Sequence, residues 1–265
     1  MPVRKTAYVD DGQRRGMIAK WMKDVGDPWI AEGQDHSPDA GSDLALDDTI
    51  APKTTPVAHH GIVTALDHLG SVVDAMTTGS PMRHYAHFTV LRTALLASAR
   101  TRWLLAPDDS PSRQLRCVQI RFQNLDEQRK AVKGLGGAHI EAPLEQARQV
   151  HIAAMNAEEK TLQARALALG AGSLNVPLDT VSMLRGMVEA DTYEGTAITQ
   201  MWRTGSAAAH GYYWTDEHRH DPGHFDEQSF NLALYGAMFF INEAMKLYTW
   251  RAASPDRRGD VLPPD

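Results

Sequence analysis

Residues 225–252 read FDEQSFNLALYGAMFFINEAMKLYTWRA, and this stretch decides the fold class. Phe230, Leu234, Ala237, Ile241, Ala244 and Tyr248 recur at alternating intervals of four and three. Such spacing lays one apolar seam along a helix of 3.6 residues per turn, where a strand would alternate every second residue. A seam this long needs other helices to cover it.

Upstream, the same period runs back to Val57 almost without interruption. A helix over about 57–77 aligns Ile62, Leu66, Leu69 and Val73. Ser80-Pro81 supplies an N-cap and a first-turn proline for a second helix to about Leu105, with Phe88, Leu91 and Leu95 inward. Ser110-Pro111 repeats that signal for a third, with Leu115, Val118, Phe122, Leu125 and Val132 in line. The glycine-rich run at 134–137 ends it. Pro143 opens a fourth, to about Leu169, carrying Leu144, Met155, Leu162 and Leu169 on one side. GAGSLNVP breaks the pattern at 170–177, Pro177 begins a further helical stretch to about Ala190, and another helix covers about 195–213. No strand pair and no internal repeat appears. The expected fold is all-α, an antiparallel bundle of about six to seven helices spanning 57–252.

Residues 1–56 read differently. EGQDHSPDAGSDLALDDTIAPKTTP is rich in Gly, Pro and Asp and short of apolar residues, which predicts a poorly ordered or loosely docked arm. Within it a helix over about Asp11–Val25 would place Met17, Ile18, Trp21 and Met22 on one face. Residues 253–265 read as a disordered tail.

Bulk composition narrows the function classes. Hydrophobic residues make up 43% of the 265-residue chain and charged residues 23%, as in ordinary globular proteins. The net charge of −6 provides no global field for nucleic acid, so RNA or DNA contact would require a local basic patch. Cys117 is the one cysteine, which excludes an internal disulfide and fits a reducing compartment. Its apolar setting reads as a small core residue rather than a nucleophile. MPVRKTAYVDDGQRRG has no apolar signal region, and the longest apolar run, LALYGAMFFI at 232–241, is about half a bilayer span. A cytoplasmic protein without membrane contact is expected.

One constellation carries chemistry. In GTAITQMWRTGSAAAHGYYW, Arg203 and His210 stand seven residues apart, nearly two turns, and so share a direction about 10 Å apart along the axis. Ser206 lies between them. The adjacent row, Ile198, Trp202, Gly205, Ala209 and Tyr212, is apolar and is expected to face the core. A guanidinium pairs with phosphate oxygens in fork geometry, and an imidazole can take or donate a proton near neutral pH. These are the parts of metal-independent phosphodiester cleavage, and two copies of the row would supply both an acid and a base. The structural alternative has Arg203 bridging to Glu189 or Glu194 and His210 as an interhelical hydrogen-bonding group.

This arrangement resembles the HEPN superfamily of helical proteins, whose signature is an arginine followed after four to six residues by a histidine. Arg203 and His210, with six residues between them late in a bundle, match the long form. Thr204 stands where members often carry Asn or Asp. The resemblance covers about 85–250 in architecture. It implies RNA cleavage or RNA binding in a defence or toxin–antitoxin system, with Arg203 and His210 meeting their copies across a homodimer. An antitoxin or other protein partner is then expected as well. A second likeness, to uncharacterised bacterial helical proteins, rests on VLRTALLASARTRWLLAPDDSPSRQLR at 90–116. Arg92 and Arg116, with Arg100, Arg102 and Arg113 nearby, would form a basic rim holding the RNA backbone; the alternative is solvated or carboxylate-paired arginines.

A histidine-rich loop follows, WTDEHRHDPGHFDE. His218, His220 and His224 with neighbouring carboxylates make weak candidates for a metal-dependent hydrolase, but their spacing matches no closed zinc site, and no metal site is assigned. Without a Gly-rich phosphate loop or a nucleophile elbow, no cofactor is implied. The competing class is a non-enzymatic helical interaction module.

Overall fold

The apolar seam of residues 225–252 is buried along its whole length, from Phe230 to Tyr248. In the computed structural model the described residues are 11–33, 36–135, 140–174, 178–186, 188, 192–217, 221 and 224–261, save the side chains at 193, 194 and 197. Among the described residues the first element is α1 (Asp11–Trp21), which passes through a π-helical turn (Met22–Gly26) into α2 (Asp27–Ala31). The short α3 (Asp43–Asp47) precedes α4 (Thr54–Thr77), α5 (Ala86–Leu105), α6 (Ser110–Gly134) and α7 (Ala142–Ala168). Then come α8 (Thr180–Arg185), α9 (Tyr193–His210), α10 (Trp214–Glu217) and α11 (Glu227–Ala252). The six long helices are α4, α5, α6, α7, α9 and α11, and no strand occurs among the described residues. The all-α expectation holds. No helix among them is long and apolar enough to cross a membrane.

Starts differ from the expectation where caps decide them. Ser80-Pro81 does not open α5; residues 80–83 stay outside the helix, and the His87 ring accepts the Arg83 N–H at 2.8 Å ahead of the first turn. In α6 the cap is Asp109, one residue before Ser110, whose carboxylate accepts the Ser112 N–H at 2.7 Å.

α4, α5 and α11 form the centre, with α9 against α5 and α11. α5 approaches α4 closely at Gly61, where a Cβ would collide with Thr101. α6 and α7 form a hairpin with its own small core of Val118, Leu125, Met155, Leu162, Ala166 and Leu174. Leu144, expected inward, is exposed near the start of α7.

Residues 11–56 are not a loose arm. Ile18, Met22, Trp29 and Leu44 are buried in the same core as α4, α5 and α11. Met17, expected beside Ile18, faces solvent. Polar pins explain why a segment with few apolar residues docks. The Asp47 carboxylate takes the Arg113 guanidinium in a two-point fork, at 2.7 and 3.0 Å, with both side chains almost fully buried. The remaining Arg113 donor reaches the Pro107 and Asp108 carbonyls, and Arg251 reaches those of Leu105, Ala106 and Pro107 along with Asp43 and Asp108. Orphan carbonyls at the C-terminal end of α5 are thereby satisfied, and two arginines clamp α3 to the α5–α6 turn. Residues 253–261 are likewise docked. Ala253 is buried, the Ser254 N–H donates to Asp39, and Arg257 and Arg258 pair with Asp39 and Asp43.

Candidate functional site

Thr192 caps α9 by accepting the Gly195 N–H, and Gly211 ends it with φ +68°, a left-handed conformation that favours glycine. The helix is pressed onto α5 through Gly205, where a Cβ would lie 2.6 Å from Arg92 Cβ and 2.8 Å from the Phe88 carbonyl oxygen. Ile198, Met201 and Gly205 form the buried side. Ala209 and Tyr212, expected to face the core, are exposed, because the inward stripe of the helix is rotated onto Met201, Ala207 and Ala208.

Arg203 and His210 are both exposed and Ser206 is half-buried. Among the described residues none of the three has a hydrogen-bonded or ionic partner. The His210 ring lies 5.6 Å from that of Tyr212. Glu189 and the Glu194 side chain, the alternative partners for Arg203, lie outside the described residues. Beyond His210 the chain presents Tyr212, Tyr213 and Trp214 to solvent, at 60%, 74% and 38% exposure. That aromatic run was visible in the sequence, but helical periodicity assigned its first member to the core. The row lies outside the 500 Å³ pocket beside α9, which is lined by Thr204, Ala208, Phe88 and Trp214 and by none of the three.

The predicted basic rim does not assemble. Arg92 stacks on Trp202, its guanidinium carbon 4.1 Å from the ring centroid. Its Nε is buried without a partner, and burial lowers its pKa. Arg116 lies near the other end of α5, over the Trp103 ring at 4.7 Å and donating to the Trp103 carbonyl. Its pKa is also lowered, chiefly by burial and against the pull of Asp109. Eleven residues of helix separate Arg92 from Trp103, about 16 Å, so Arg116 does not join the Arg203 row. Arg113 is a closed structural pin.

His218 and His220 lie outside the described residues. The described His224 is exposed and bonded to Asp221 at 2.6 Å. Among the described residues no group of three or more His, Cys, Asp or Glu is placed to hold a metal ion. Cys117 is fully buried against the Pro52 and Lys53 carbonyls, and burial pushes its thiol up to about 12, which removes it as a nucleophile at neutral pH.

A second site escaped the sequence reading. A groove of about 920 Å³ runs between α4, α5, α6 and α7. It is the seam where the central core and the hairpin core fail to merge. Arg100 lines it, and its guanidinium meets a neutral group, Nη2 donating to Gln123 Oε1 at 3.1 Å. Linear spacing gives no sign of this groove, because its walls come from two separate helix pairs.

Compared with protein-family models, curated proteins and solved structures, the chain matches none of them.

Proposed function

We propose that the exposed flank of α9 binds RNA and, closed by a second copy of the chain, cleaves it without a metal. The observation that carries this reading is the pairing of Arg203 with His210. A permanent cation and an imidazole share one helix flank, exposed and with no polar partner among the described residues. A charge paired inside the fold has no capacity left for phosphate, whereas this one keeps its whole fork. Tyr212, Tyr213 and Trp214 add aromatic faces on which unpaired bases can stack. The Arg-x6-His spacing of HEPN proteins supports the same assignment.

One chain offers a single imidazole on this flank, so the chemistry needs two copies. His210 of one copy takes the proton of a ribose 2′-OH as its oxygen forms a bond to phosphorus. The bond to the 5′-oxygen breaks, and the second copy's His210 returns a proton to that oxygen. The products are a 2′,3′-cyclic phosphate and a 5′-hydroxyl. Arg203 stabilises the charge that builds on the non-bridging oxygens, and Ser206 orients the phosphate. Arg92, held against Trp202 beside the row, contributes charge rather than a free backbone contact.

The test is cleavage of end-labelled RNA in EDTA by the wild type, Arg203→Ala and His210→Ala, beside sedimentation of each. The expected result is a dimer whose cleavage falls about 10²- to 10⁴-fold on loss of the imidazole. Failure of the wild type to cleave a broad RNA set overturns the nuclease assignment. If anisotropy then shows no RNA binding either, the exposed aromatic run becomes the docking surface of an interaction module.

A further inference from the structure

The groove between the two cores has the composition of a ligand site. Its apolar walls come from Val57 on α4, Leu96 and Leu104 on α5, Ile120 on α6 and Leu162 on α7. Its volume, about 920 Å³, falls within the range of small-molecule pockets. Arg100 sits among these apolar groups.

The charges around the groove are otherwise accounted for. Arg121 is paired with Glu158 at 2.6 Å, and Glu127 accepts from Lys130 at 2.8 Å. Lys53 is exposed. Among the charged residues that line the groove, Arg100 is half-buried and has no carboxylate partner among the described residues. Gln123 takes one of its five donors, and Nε is buried with no acceptor. Burial, with the Arg92 charge behind it, lowers its pKa, so the fold holds a cation at a cost that no internal anion offsets. By contrast, Arg113 and Arg251, more deeply buried, are met by Asp47, Asp43 and Asp108. An unmatched cation beside an apolar trough is complementary to one kind of molecule.

We propose that this groove binds an amphipathic organic monoanion, its carboxylate on Arg100 and its apolar body along Leu96, Leu104, Ile120 and Leu162. A carboxylate matches the guanidinium fork at two points and offsets its charge. The apolar walls account for the rest of the ligand, which distinguishes it from a bare inorganic anion. The site shares no residue with the Arg203 row, so the two assignments stand or fall separately.

Titration calorimetry with decanoate, 1-decanol and inorganic phosphate, all below micelle formation, tests the assignment on the full chain. Decanoate is expected to bind at one site, at least tenfold tighter than decanol, and phosphate alone not measurably. Arg100→Met should weaken decanoate about ten- to a hundredfold, to the level of decanol, while leaving decanol unchanged. Thr161→Trp fills the groove from the exposed rim and keeps the cation, so it should abolish binding of both decyl ligands. Equal affinity for decanoate and decanol overturns the proposal, as does phosphate binding as tightly as decanoate. Decanoate binding that survives Thr161→Trp places the ligand elsewhere. If Arg100→Met does not fold, the decanoate–decanol contrast together with Thr161→Trp decides.

Discussion

The central bundle and the α6–α7 hairpin follow one helical pattern yet are held together in different ways. In the bundle, large side chains such as Leu66, Phe230, Phe240 and Tyr248 are buried on shared faces of α4, α5 and α11. At its end two buried arginines, Arg251 of α11 and Arg113 from the start of α6, are closed by carboxylates and carbonyls. In the hairpin the core is the small cluster from Val118 to Leu174, and α6 is linked to α7 by half-buried pairs, Arg121–Glu158 and Arg129–Glu159. Leu144, Val150 and Leu167 on α7 remain exposed, so α7 is covered mainly by α6. A bundle closed on several sides is rigid, whereas a hairpin closed on one side is a wall that can open. The groove and its unmatched Arg100 lie on the line between them.

The largest expected effect breaks the bundle side of that contrast. Asp47→Ala strands the Arg113 guanidinium in the interior and should lower stability by about 3–5 kcal/mol in urea unfolding. A loss under about 1 kcal/mol would mean that the pin between α3 and α6 is dispensable, as exposed pairs are. Next, Leu162→Ala removes a buried side chain from the hairpin core, at a cost of about 2–5 kcal/mol. Native-state hydrogen exchange should then speed up in α6 and α7 while α4, α5 and α11 keep their protection. Equal acceleration in all five helices would show one cooperative unit and erase the distinction.

The smallest effect is a pH dependence confined to the bundle. His59 stacks on Trp29 at 5.0 Å and its Nε2 is buried without a partner. Burial first, then the neighbouring His36 and His60, lowers its pKa below the ordinary 6.5. Since the folded-state value is depressed, the unfolded chain binds more protons below 6.5, and stability falls as pH drops through that value. Protection in α2 and α4 should therefore decline between about pH 7.5 and 5.5 without a matching decline in α7. His59→Phe, which keeps the stack and drops the titration, should flatten the response. An unchanged slope in that variant would assign the acid sensitivity to other groups.

The helical class and most of the inward faces follow from residue spacing alone, because helical period and burial are coupled locally. Ile62, Leu66, Leu69 and Val73 on α4, and Phe230 through Tyr248 on α11, are buried as their spacing requires. The Arg203, Ser206 and His210 row was also legible, since residues seven apart on one helix share a direction wherever the helix lies. Only the tertiary structure decided what surrounds each side chain. Residues 11–56 dock despite their composition because Asp47 and Asp43 meet arginines from α6 and α11, contacts that span 66 and 208 positions of chain. Ala209 and Tyr212 are exposed because packing turns Met201, Ala207 and Ala208 inward instead, a rotation of the face that spacing along one helix does not specify. Arg92, Arg100, Arg113 and Arg116 look alike in one dimension; in three, Arg113 becomes a buried pin, Arg92 and Arg116 stack on tryptophans, and Arg100 faces a groove. Periodicity is a property of one helix, but the partner of a charge is set by how helices far apart in the chain come together.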